Sequence, residues 1–188
     1  MALIVVARGT TATIAAAVFA VSLAGVFGVS AAYHVGRWTD AARRRMKRLD
    51  HSMIFILIAG SYTPFCLLAI GGAPGAWLLG AVWAGALAGV GLKLVSIDRL
   101  HVASGVLYMA LGWAALFALP TLFRGLSRVQ FALVVAGGVL STLGAIVLLR
   151  RRPNPRPAVF GYHEVWHAMG VTAGFLHYTA ILLMVAGR

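Results

Sequence analysis

Long uncharged stretches alternate with short clusters of Arg and Lys along the chain. The uncharged runs cover residues 9–36, 52–92, 100–123, 129–149 and 165–187. The second is much longer than the others and is split by Gly71-Gly72-Ala73-Pro74-Gly75, a dense turn signal. A helix of about 20 apolar residues crosses a hydrocarbon core. The pattern therefore predicts six full membrane spans in one transmembrane domain, over residues 10–35, 51–70, 76–93, 101–120, 129–149 and 164–186. Residues 1–7 are apolar but too short to cross at ~1.5 Å per residue, and they read as the tail end of a helix. The run after Arg8 is too long for the apolar part of a secretory signal.

Within the spans, Pro64 is expected to kink its helix. Small residues recur every four positions at Gly80, Ala84 and Ala88, and again at Gly137, Ser141 and Ala145. Both stripes suit close helix approach.

Composition agrees with a membrane bundle. The 188 residues are 61% hydrophobic and 11% charged, more apolar than a soluble domain of this length needs. A net charge of +12 would suggest nucleic acid in a soluble protein. Here the basic residues lie between apolar runs, where topology accounts for them and no nucleic-acid partner is expected. Twelve of the sixteen fall in the segments 37–48, 93–99 and 150–156, which lie on one side of a six-span bundle; Arg8, Arg124, Arg128 and Arg188 lie on the other. The positive-inside rule puts the richer side in the cytoplasm and the C-terminus outside. Acidic lipid headgroups are natural partners of the basic loops. The one cysteine, Cys66, excludes an intramolecular disulfide and a cysteine-based metal site.

The candidate chemistry sits at that same basic side. His163 and His167 are four residues apart and share a helix face. Ser30 and His34 have the same spacing at the end of the first full span, and Asp50 opens the next. Helix direction was assigned from Lys and Arg alone, yet it brings all five to one depth. A single His at a membrane end is ordinarily interfacial. Three imidazoles, a carboxylate and a hydroxyl together suit Zn²⁺ bound by His34, His163 and His167, with a fourth position left for water. A haem between His residues is the competing choice; the Ser and Asp companions favour a metal with bound water.

Ser30-x3-His34 before a basic loop, Leu49-Asp50 at the next helix, and His163-Glu164-Val165-Trp166-His167 followed ten residues later by His177 resemble the hemolysin III family. The likeness extends to the related adiponectin and progestin receptors and the alkaline ceramidases, and it runs from about Gly9 onward. It implies a seven-helix bundle, here with six full spans and the first helix missing or truncated. It also implies zinc held by His34, His163 and His167, with Asp50 and Ser30 around the water. A late start codon or a six-helix member would each account for the short N-terminal stretch, and neither removes a ligand.

Other polar residues carry less. His177 lies ~21 Å beyond His163 along a helix, so a buried hydrogen-bonding role is expected. His51 points about 100° away from Asp50 on a helix, at the interface or behind the site. His101 is expected to face solvent, and Glu164 points off the face shared by the two His. The leading function is a zinc-dependent hydrolase acting on a lipid amide or ester, with membrane lipids as the source of substrate. A receptor-like or membrane-homeostasis protein with zinc is the main alternative. A pore-forming cytolysin ranks lower, because no span carries a ring of charge.

Overall fold

The computed structural model describes residues 2–95 and 100–187, and for His101 the backbone alone. The expectation for the His101 side chain therefore lies outside the described residues. Among the described residues eight α-helices follow in order: α1 (Ala2–Val6), α2 (Thr10–Val35), α3 (Asp40–Pro64), α4 (Gly72–Val95), α5 (His101–Trp113), α6 (Leu119–Gly125), α7 (Arg128–Arg150) and α8 (Tyr162–Ala186). A π-helical segment, Phe65–Ile70, prolongs α3, and a 3₁₀ segment, Ala114–Ala118, joins α5 to α6. Six of the resulting rods are long and apolar enough to cross a membrane. The architecture is all-α, as the uncharged runs require.

Helices in lipid gain little from hydrophobic association and are held by close packing. Glycines mark the crossings. A Cβ on Gly60 would run into Ser22 Oγ, and one on Gly25 into the Met53 side chain, so α2 and α3 touch backbone to side chain. Ser22 Oγ shares its proton between Val18 O at 2.8 Å and Phe19 O at 2.9 Å, which satisfies this buried hydroxyl. Gly89 of α4 receives the Phe55 ring of α3 in the same way, and Gly137 of α7 receives His177 of α8. The predicted stripe on α4 is a correction. Gly80, Ala84 and Ala88 are exposed, and the face that packs is Val82, Ala86 and Gly89. Small residues lie on several faces of this helix, so their spacing alone did not select the one opposite Phe55. On α7 the packing pair is Gly137 and Gly144, while Ser141 borders a cavity.

Two further departures shape the site. Helix α3 starts at Asp40, not near residue 51, with Thr39 Oγ1 accepting from Ala42 N. The basic run 43–48 is therefore helical, and Asp50 lies three turns inside. The fourth span is broken at Ala114–Ala118, and Pro120 sits in the first turn of α6. Tyr62 of α3 holds that break: its hydroxyl accepts from Ala115 N at 2.7 Å and donates to Gly112 O at 3.2 Å. Two residues on, Pro64 lacks the N–H that would bond Gly60 O. The helix continues past it as the wider π turn and stops at Gly71, whose φ is 67°.

The main apolar core lies away from the basic end. Phe19, Phe65, Leu122, Ile181 and Val185 form one cluster, and Phe55, Val82, Ala86 and Leu111 form a second between α3, α4 and α5. Tyr62→Phe removes both bonds at the broken span and leaves a backbone N–H without its acceptor. It should lower stability by about 1–3 kcal/mol, read as a drop in the thermal unfolding midpoint in detergent; an unchanged midpoint would show that the break is held by something else.

Candidate metal centre and cavity

Four short constructions bring the polar side chains together. The first is the end of α2. Gly36 N and Trp38 Nε1 both donate to Ala32 O, each at 3.0 Å, closing the helix one turn past Ser30. A Cβ on Gly36 would collide with the Trp38 ring, so the tight return to α3 needs glycine there. His34 sits in this last turn.

The second is the start of α8. Glu164 Oε2 accepts from Gly161 N at 2.8 Å, a charged cap on the exposed N-terminal donors. Glu164 is thereby occupied in helix initiation, in keeping with its assignment off the His face. Asn154 bridges the preceding loop to the helix: its Oδ1 accepts from Tyr162 N at 2.9 Å and its Nδ2 donates to Arg151 O at 3.0 Å. The third is Trp166, whose ring lies against both neighbours, 5.4 Å from His163 and 4.6 Å from His167 between centroids. Its other side meets Gly144 of α7. The fourth is α3, which carries Asp50 inward.

The outcome is a cluster of three imidazoles. One ring nitrogen from each of His34, His163 and His167 lies within 4.8 Å of the others. His163 Nε2 and His167 Nε2 are 3.1 Å apart. Bonds of about 2.0–2.1 Å to one tetrahedral ion put two imidazole nitrogens roughly 3.3 Å apart, so this pair already has the spacing of two ligands on one metal. The same distance also accommodates a hydrogen bond between the rings. His34 completes the set from a different helix, its ring 5.3 Å from His167 and 5.7 Å from His163. The donors are neutral nitrogen atoms with no thiolate among them, and they fit a borderline ion with an open fourth position.

Asp50 is 7% exposed and borders a cavity of about 190 Å³ together with Ser30 and His167. The walls of that cavity are mostly apolar, from residues such as Val26, Ile54, Met109 and Val171. The structure thus brings Asp50 and Ser30 to the same space as one of the three clustered His. His51 stands behind the site, one of the two places expected for it: its Nδ1 donates to Lys47 O at 2.9 Å and lies 3.6 Å from Asp50 Oδ2. Arg43 was not singled out from the sequence; its guanidinium lies 5.7 Å over the Tyr33 ring, which in turn packs on His34 at 4.8 Å. No sequence signal marks this chain of contacts, because it depends on α3 beginning early enough to carry Arg43. His177 is not part of the cluster. Its Nε2 donates to Val134 O at 3.3 Å, deep in the bundle.

Six apolar helical rods with three imidazoles converging at one end define an all-α integral membrane protein with a candidate metal centre. The chain belongs to the haemolysin-III-related family, whose profile matches residues 1–178. It is 34% identical over 137 residues to Hemolysin-3 of Bacillus cereus, covering 73% of this chain and 60% of that protein. It is 35% identical over 120 residues to the Hemolysin-3 homolog of Bacillus subtilis (strain 168), covering 64% of this chain and 54% of the relative. More distantly, it is 23% identical over 172 residues to the human Monocyte to macrophage differentiation factor, covering 89% of this chain and 69% of that protein. The matched region therefore spans little more than half the length of the two bacterial relatives.

Proposed function

We propose that the protein is a membrane-embedded hydrolase of lipid amides or esters, with zinc held by His34, His163 and His167. The observation that carries this is the shared cavity: a buried carboxylate, Asp50, and a member of the His cluster, His167, border one mostly apolar space. A site that only stored metal would need no such space. When bound, zinc supplies Lewis acidity and lowers the pKa of water.

The protein's own groups account for the remaining chemistry. Asp50 accepts a hydrogen bond from water and takes its proton as the oxygen adds to the acyl carbon. The C–N or C–O bond then breaks, and Asp50 returns the proton to the departing amine or alcohol, so no other reactant is needed. His51 lies beside the carboxylate, 3.6 Å from Asp50, with its Nδ1–H given to Lys47 O. Ser30, on the same cavity wall, donates to or accepts from a polar group of the substrate. The apolar walls hold the chain of a lipid drawn from the surrounding bilayer and keep bulk water away from it.

The basic end is proposed to face the cytoplasm, on the asymmetry of twelve basic residues against four. In a Cys66→Ser background, single cysteines at the exposed positions Ala41 and Ala158 should resist an impermeant maleimide on whole cells and label after permeabilisation. Ready labelling of both on intact cells would reverse the orientation.

Zinc content and turnover test the site together. Elemental analysis of the purified protein should give one zinc per chain. His34→Ala, His163→Ala and His167→Ala should each lose most of it, and His177→Ala should keep it. Full zinc in any two of the three ligand variants would sink the assignment.

Asp50→Asn keeps shape and a hydrogen-bonding oxygen but removes the base. It should retain metal while hydrolysis falls by ~10²–10⁴, followed as fatty-acid release from ceramide-like amides and native membrane lipids. Release unchanged by this substitution and by chelation would separate the activity from the site. No release from a broad panel would favour a zinc-bearing receptor-like or homeostatic protein.

A further inference from the structure

A second cavity, of about 140 Å³, lies toward the other end of the bundle, with Phe65, Leu122 and Phe131 among its walls. It abuts the first. Ser61, Tyr62, Gly112, Trp113, Gly138 and His177 border both. The polar tips in this shared wall are tied down. Ser61 Oγ donates to Leu57 O at 2.7 Å, Tyr62 is bonded twice to the broken span, and His177 is held on Val134 O. These side chains are fixed, so the width of the wall's opening depends on what else stands there.

Gly112 and Gly138 stand there. They differ from the glycines at helix crossings. A Cβ at Gly137 would strike the His177 ring and one at Gly144 would come within 3.3 Å of Trp166, whereas a Cβ at Gly112 or Gly138 meets nothing within 4 Å. Neither has a positive φ, and glycine is the poorest helix former after proline. Neither packing nor backbone conformation calls for glycine at these two places. Both border the two cavities where these share a wall, Gly112 exposed and Gly138 half-buried.

We infer that Gly112 and Gly138 hold open a neck between the two cavities, and that they set the length of the apolar chain the protein accepts. A chain bound with its polar end near Asp50 passes the neck and ends among Phe65, Leu122 and Phe131. The identity of that chain as the acyl part of the substrate rests on the hydrolase reading above; the neck itself does not.

The test reads binding without turnover. Purified protein in nanodiscs is titrated with a fluorescent fatty acid and competed with saturated fatty acids of increasing length. The variants are Gly112→Val, Gly138→Val and, as control, Gly28→Val, where a Cβ also meets nothing within 4 Å and which borders neither cavity. Wild type and control should gain affinity with each added methylene, up to about fourfold per methylene for full burial, from roughly eight to roughly eighteen carbons. The two neck variants should match wild type for the shortest acids and then level off, binding the longest at least ~10-fold more weakly. Where valine disturbs folding, as judged by the unfolding midpoint, Gly112→Ala and Gly138→Ala replace it, since alanine favours the helix.

Length profiles of the neck variants that coincide with wild type would overturn the proposal, and so would a wild-type profile that is flat. A wild type with the rising profile that releases no acid from any amide or ester would overturn the hydrolase reading and leave the neck standing.

Discussion

The meeting of the last turn of α2 with the first two turns of α8 is the constraint on which the rest of the structure depends. It brings ring nitrogens from two helices far apart in sequence within 4.8 Å of each other. Polar rings cannot be left unpartnered in a low-dielectric bundle without cost. His163 and His167 are half-buried and meet through their Nε2 atoms at 3.1 Å, while His34 approaches from an exposed position, and the helices that carry them are held to match. The devices that do so are local and identifiable. The Ala32 carbonyl receives two donors, the Gly161–Glu164 cap starts α8, Asn154 pins the intervening loop, and Trp166 lies against both α8 His rings while resting on Gly144.

Packing is distributed accordingly. The tight crossings at Ser22–Gly60 and Phe55–Gly89 fix α2, α3 and α4 relative to one another, and Gly137–His177 fixes α7 against α8. The larger apolar cluster, with Leu3, Phe19, Phe65, Ile181 and Val185, lies along the half away from the His residues. The basic half is left with a cavity under Asp50 and His167. The broken fourth span belongs to the same economy. One tyrosine hydroxyl takes up Ala115 N and Gly112 O, so the 3₁₀ wall beside the cavity has no orphaned donor at Ala115.

Much of this was legible in the residues. Six spans follow from where charge is missing, because a bilayer tolerates few charges in a helix. The three-His cluster follows from i, i+4 spacing plus helix direction, and helix direction follows from Lys and Arg. What stayed hidden depended on geometry that no periodicity carries. The basic run 43–48 looked like a loop because charge ended the apolar stretch, yet Thr39 caps a helix that already includes it, and that extension brings Arg43 over Tyr33. The interruption at Ala114–Ala118 lies in an uninterrupted apolar run, with only Pro120 beyond it to hint at a break. On α4, small residues on more than one face made the choice of packing stripe ambiguous until Phe55 was seen to occupy Gly89.

X-ray absorption at the metal edge of the purified protein, with His34→Ala beside it, tests the central claim most directly. The account requires a zinc first shell of nitrogen and oxygen at about 2.0–2.1 Å with three imidazoles and no sulfur, and a loss of one imidazole or of the metal in the variant. A sulfur shell, a haem iron signature, or an imidazole count untouched by His34→Ala would contradict it.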